Sequence, residues 1–318
     1  MIKELGQIVT CRPDCTYGRP ELRAVRAAVR RKDLSRVTRA LAGQPDHDVR
    51  ADLVYVAAEE LVRRHGRAVP DWVRGWFDSA ADDPHAWALR GAHAVLRAWK
   101  IRGYRRAAST SPDLFHQFHR VLSGAEEVCR EAAALAPGDP TPWVLLVHMA
   151  RGQEIGPDAT LRRFGALTAR CDTHLRGNEQ VVLSLSPKWG TPVETLQGLV
   201  DEQYRAAAPG SPVRMNLVQA YIERWYNLAP AERQAFLARA SVRSRAEIAI
   251  SGWLEYGDTE GQHALHNSAA FWYTITGQHA LARPHFIATR GHAKTFPWSY
   301  LPHPAWEFRK GWLSALRG

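Results

Sequence analysis

The stretch "GQHALHNSAAFWYTITGQHALARPHF", residues 261–286, holds the pentapeptide GQHAL twice, sixteen residues apart, with His263, His266, His279 and His285 among its residues. Two readings compete: a histidine cluster for metal or acid–base chemistry, or a turn that recurs because the fold recurs. The spacing favours the turn. Ala270, Tyr273, Gly277, Ala282 and Phe286 stand at offsets 0, 3, 7, 12 and 16, a small–aromatic–Gly–small–aromatic order that fits two helices joined by a tight turn. The first helix is expected over about 264–275 and the second over about 279–291. Gly261 and Gly277 then supply the permissive backbone that precedes each helix. In this register His263 and His279 sit at helix starts facing solvent, while His266 and His285 point toward a groove.

The same grammar recurs upstream. "SGAEEVCREAAALAPGDPTPWVLLVHMARG", residues 123–152, carries Ala125, Cys129, Ala132, Pro137, Trp143 and Leu146. Small residues allow close helix crossing, and Trp and Leu fill the space between neighbours. "DDPHAWALRGAHAVLRAWKIRG", residues 82–103, places Trp87 and Gly91 in the matching opening-helix positions. These patterns resemble the tetratricopeptide (TPR) helix–turn–helix. The spacing is irregular, because Trp87 and Trp143 are 56 residues apart, and "GYRRAASTSPD" at 103–113 reads as a long basic inter-helix loop. "AWKIRGYRRA", "FHQFHRVLSGAEEV", "LAPGDPTPW", "ARGQE" and "GSPVRMNLVQAYIERW" further resemble a family of TPR-like proteins common in actinobacteria, over about residues 68–230. That resemblance implies a helical fold and brings no catalytic residues with it.

Other helix starts are signposted. "TPVE" at 191–194 offers Thr191 as N-cap, Pro192 at the first helical position and Glu194 to close a capping box. "SP" at 211–212 and "SRAE" at 244–247 repeat the device, and "APAERQ" at 229–234 opens with Pro. The alternating run "QVVLSLS" at 180–186 reads as helix in this setting. The expected fold is all-α, an irregular TPR-like α-solenoid of about fourteen helices stacked in pairs. Residues 1–67 form an N-terminal helical cap and 68–318 the repeat domain, ending in the aromatic, Pro-rich segment "FPWSYLPHPAWEF" as a cap or lid.

Composition bounds the function. The 318 residues are 45% apolar with twelve Trp, enough for a real core. No apolar run reaches the length of a bilayer span, mean hydropathy is −0.35, and the first residues lack a secretory signal pattern, so a cytoplasmic protein without membrane contact is expected. Net charge is +10, and six lysines leave 36 of the 42 basic residues as arginine. This bias matches both a GC-rich coding background and anion recognition. Cys11 and Cys15, three residues apart in the gap, have no second pair to complete a zinc site, and Cys129 lies in an apolar stripe.

His116 and His119 in "FHQFH" share a helix face but lack a third ligand. Asp46, Asp48 and Asp52 in "PDHDVRAD" lack the Gly and Glu of a calcium loop and read as a turn and an N-cap. No linear signature of the common hydrolases, metalloproteases or nucleotide-binding loops is present. Neither a metal nor a cofactor is expected. Residues 19–39 read as one basic amphipathic helix, with Leu22, Val25, Val29 and Leu34 opposite Arg23, Arg26, Arg30 and Arg31.

Aromatic-plus-arginine groups are the best binding candidates. These are Trp99, Arg102, Tyr104, Arg105 and Arg106 at a helix end, Lys188 and Trp189 in a turn, and Arg224, Trp225 and Tyr226 on a helix. The leading expectation is a scaffold binding a partner protein or peptide in a concave groove. A second is an enzyme or accessory subunit of natural-product metabolism with a small-molecule pocket, using His119, His266 or His285. A third is RNA or tRNA binding through the basic helix and the 103–113 loop.

Overall fold

The computed structural model describes residues 15–103, 110–257 and 261–317. Among these residues the chain forms seventeen α-helices and no strand. The described residues divide into two compact units, one within residues 19–185 and one of residues 15–18 together with those of 186–317. The partition does not follow residue 67, because helices on both sides of that position pack together within the first unit.

The 19–185 unit contains α1 (Pro20–Arg30), α2 (Leu34–Ala42), α3 (His47–His65), α4 (Asp71–Ser79) and α5 (Pro84–Arg102). It continues with α6 (Pro112–Leu135), α7 (Thr141–Gln153), α8 (Gly156–Thr168) and α9 (Leu175–Ser184). The continuous basic helix expected over 19–39 is broken. Lys32 takes a left-handed φ of 61°, and the Asp33 carboxylate accepts from the Arg36 N–H at 2.9 Å, capping a new helix. Asp46 caps α3 in the same way, and Asp83 caps α5.

Most consecutive helices pack together, α5 with α6 most extensively, and α1, α3, α5, α7 and α9 also touch in series. Alternate helices forming one continuous layer is the arrangement that stacked helix pairs make. Small residues permit the approach. A Cβ on Gly91 of α5 would lie 2.6 Å from Cys129 Sγ of α6, and one on Gly152 of α7 would lie 2.7 Å from Phe118. Ala125, Cys129 and Ala132 are all buried at this crossing.

The second unit contains α10 (Val193–Ala206), α11 (Met215–Asn227), α12 (Pro230–Ala238), α13 (Ala240–Tyr256) and α14 (His263–Ile275). It ends with α15 (His279–Ala288), α16 (Thr295–Trp298) and α17 (Pro304–Arg317). The α14–α15 hairpin lies where the GQHAL spacing puts it, with Gly277 at φ 74° in the turn. Two helix starts differ from expectation. Pro192 rather than Thr191 precedes α10, with no side-chain cap, and "SRAE" lies inside α13, because Pro230 and Ala240 already define a helical corner there. The core is aromatic: Phe286, Trp298, Phe308 and Trp312 are each fully or almost fully buried, with ring centroids 5.0–5.9 Å apart. Such pairs add about 0.5–1.5 kcal/mol each beyond burial. Trp298 and Phe308 thus pack their rings against Phe271 of α14 and Phe286 of α15.

Candidate functional site

In the 19–185 unit, aromatic and cationic side chains form one row along the layer of alternate helices. The Arg102 guanidinium, in the last turn of α5, lies 5.6 Å from the Trp99 ring and 5.7 Å from the Phe115 ring. Arg151 of α7 lies 5.3 Å from the same Trp99 ring. Trp99 also meets Phe118 edge-on at 5.0 Å and stacks with His148 at 6.3 Å. Gly152 makes this possible, since a Cβ there would lie 3.2 Å from Trp99 and closer still to Phe118 and Leu122. Trp99, Arg102, Phe115 and Arg151 all remain partly exposed.

The row continues inward. The Tyr55 hydroxyl of α3 lies 2.9 Å from His148 Nδ1, and the Arg176 guanidinium of α9 stands 4.2 Å over the Tyr55 ring. Burial pushes the Tyr55 phenol up and His148 well down, and the Arg151 and Arg176 charges lower His148 further. Both groups are therefore neutral, and they share this one hydrogen bond. Arg151 donates to Gln180 and Ser184 at 2.9 and 3.2 Å. Arg176 pairs with Asp52 at 2.6 Å, and Asp52 also accepts from Arg19. The acids of "PDHDVRAD" therefore do more than cap a helix: Asp46 caps, while Asp52 anchors the arginine that covers Tyr55.

The second unit carries its own cluster. Lys188 sits in the short 3-10 turn Pro187–Trp189, closed by Gly190 at φ 84°. Its ammonium lies 3.1 Å from Glu223 Oε2 of α11, a fully buried carboxylate. The Tyr300 hydroxyl donates to Glu223 Oε1 and accepts from Lys188. Tyr226 stacks on Tyr300 with ring centroids 3.9 Å apart. Lys188 and Tyr226 thus come together, but their partners Glu223 and Tyr300 were not among the expected residues. Arg224 lies over Phe236 at 5.3 Å, Trp189 is half-buried, and Trp225 is core, edge-on to Phe271 at 5.7 Å. Tyr104, Arg105 and Arg106 lie outside the described residues, as does Cys11.

The candidate acid–base histidines do not form one site. His119 is half-exposed and stacks on Phe115 at 6.1 Å, while His116 is exposed beside it. His266 and His285 do meet, Nδ1 to Nδ1 at 3.1 Å, but inside the core beneath Trp253 rather than in a groove. Burial and the neighbouring His266 push His285 down to about 3. His263, expected at the surface, is buried and stacked on Tyr17 at 5.5 Å. Among the described residues no three His, Cys, Asp or Glu converge to hold a metal, and no helix is long and apolar enough to cross a membrane.

No protein-family model, curated protein or solved structure matches this chain.

Proposed function

We propose that this chain is a TPR-like binding scaffold that takes an extended, carboxylate-bearing segment of a partner protein against the Arg102–Trp99–Arg151 row. The observation that carries the reading is the alternation of guanidinium and ring along one layer of helices, with both kinds of group partly exposed. Guanidinium groups recognise carboxylates through a planar fork, and the ring faces accept the apolar residues between acids. The net charge of +10 favours such a partner through long-range attraction. RNA is a weaker alternative, because Arg19 and Arg30 of the basic N-terminal segment are directed onto Asp52 and Glu60.

A random-peptide display selection tests the reading. The wild-type chain should enrich acidic sequences with interspersed apolar residues, and Arg102→Ala should lose that enrichment. Selection without acidic bias, or identical enrichment by the variant, refutes it.

A second reading has its own support. The Arg151 and Arg176 guanidiniums that flank the buried Tyr55–His148 hydrogen bond suit the carboxylate of a small molecule, as an accessory role in natural-product metabolism would use. Screening small carboxylates for thermal stabilisation lost in Tyr55→Phe tests it, and a uniformly silent screen rejects it.

A further inference from the structure

The end of α1, the start of α2, the end of α3 and the short helix α4 meet at one corner of the 19–185 unit. The Lys32 ammonium lies 5.8 Å over the Trp72 ring of α4, and the His65 ring at the end of α3 meets that ring edge-on at 6.0 Å. Trp76, one turn further along α4, donates from Nε1 to Ser35 Oγ of α2 at 3.1 Å. Trp72 and Trp76 stand four residues apart, so their rings share one helix face, and both are half-exposed.

The corner is strongly basic. Residues 30–36 and 60–74 hold eight lysines and arginines against three acids, a net +5 and half of the chain's formal charge of +10. All three acids are engaged locally. Glu60 is buried between Arg30 at 2.9 Å and Arg63 at 2.6 Å, the Asp33 carboxylate accepts from the Arg36 N–H, and Asp71 pairs with Arg74. Arg31, Lys32, Arg36, Arg64 and Arg67 are exposed, and among the described residues none of the five forms an ion pair. Clustering them gains the fold nothing, since like charges repel, but it raises the local potential that draws in an anion.

We propose that this corner is a second binding face, for single-stranded nucleic acid, in which the five cations contact phosphates and the Trp72 and Trp76 rings stack on unpaired bases. Regularly spaced charge along a flexible strand suits cations spread over two connections and the helices beside them. The half-exposed indoles separate this ligand from an acidic peptide, because every unpaired base carries a π face to stack on them. A duplex keeps its bases paired and stacked inward, so it would reach the phosphate contacts alone. The face shares no residue with the Arg102–Trp99–Arg151 row. Arg19 and Arg30, held by Asp52 and Glu60, take no part in it.

Fluorescence-anisotropy titration of the full chain with labelled oligouridine and oligothymidine of about twelve nucleotides tests this, repeated across roughly 50–200 mM salt. Saturable binding is expected, with log Kd rising against log salt at a slope of about 3, since each single-strand phosphate contact contributes about 0.7. The tighter of the two oligonucleotides assigns the sugar. Arg64→Gln combined with Arg67→Gln, both at exposed positions, should lower the slope by about 1.4. Trp72→Leu should weaken binding at least about fivefold at an unchanged slope, which loss of charge alone cannot do. Arg205→Gln, an exposed arginine of the second unit, should alter neither. Should Trp72→Leu not fold, the slope of the double arginine variant decides. Absence of saturable binding, or an unchanged slope in that variant, overturns the proposal. So does a loss of oligoglutamate binding in the same variant as large as that of the oligonucleotide, which would assign the corner to an acidic protein segment.

Discussion

Replacing Gly91 by alanine puts a Cβ 2.6 Å from Cys129 Sγ, closer than unbonded atoms tolerate. The next neighbours, Leu145 Cδ1 at 3.6 Å and Val128 Cγ1 at 3.7 Å, are at ordinary contact distance. Two opposing effects therefore meet at one position. In a helix interior alanine is favoured over glycine by about 0.5–1 kcal/mol. Overpacking a close crossing costs about 1–3 kcal/mol. Gly91→Ala should therefore destabilise the chain by about 1 kcal/mol net. Cys129→Ala alone should cost about 1 kcal/mol for the lost sulfur packing. In that background the clash is gone, and Gly91→Ala should become stabilising by up to about 1 kcal/mol. The change of sign is a coupling of about 2 kcal/mol, well above the additivity error of about 0.5. Urea denaturation of the four proteins measures it. An equal effect of Gly91→Ala in both backgrounds would refute the claim that sulfur contact sets the α5–α6 approach.

Acid should weaken the fold. His285 is pushed down to about 3 and His93 to about 4, mainly by burial, so the folded chain binds fewer protons than the unfolded one, whose histidines titrate near 6.5. Stability is therefore complete above about pH 6.5 and falls on acidification, by about 2 kcal/mol per group at pH 5. Urea midpoints across pH 5–7.5 should show this, and His285→Gln should flatten the slope by about one proton; an unchanged slope contradicts the burial argument. Lys188→Met leaves the Glu223 carboxylate buried without its cation and should cost about 3–5 kcal/mol. Lys188→Met with Glu223→Gln should recover most of that loss in the same assay, and equal loss in both variants would show that Lys188 acts through packing alone.

Local periodicity carried much of the fold and little of the site. The α14–α15 hairpin follows from Ala270, Tyr273, Gly277, Ala282 and Phe286, because such spacing repeats within one turn of helix. Gly91, Ala125 and Cys129 were legible as small residues at a crossing for the same reason. The break at Lys32–Asp33 was not, since the arginine-and-apolar pattern runs straight through it and one capping carboxylate decides it. His263 read as solvent-facing because its partner Tyr17 is 246 residues away in the chain. Asp52 and Arg176, 124 residues apart, and Glu223 and Tyr300, 77 apart, are paired only by tertiary packing. A helix period tells which face is buried, not which neighbour that face meets. Trp99, Arg102 and Lys188 were identifiable by residue type, but Tyr55 and His148 sit singly within apolar runs and carry no motif.

The central claim is that the Arg102–Trp99–Arg151 row binds a carboxylate-bearing segment. Its most direct test is a fluorescence-anisotropy titration of one acidic peptide from the display selection, beside a copy with every Glu and Asp replaced by Gln and Asn. The account predicts that the acidic peptide binds the wild type at least tenfold more tightly than its neutral copy, and that Arg102→Ala removes most of that difference. Equal affinity for the two peptides, or an acidic preference that survives Arg102→Ala, would contradict it.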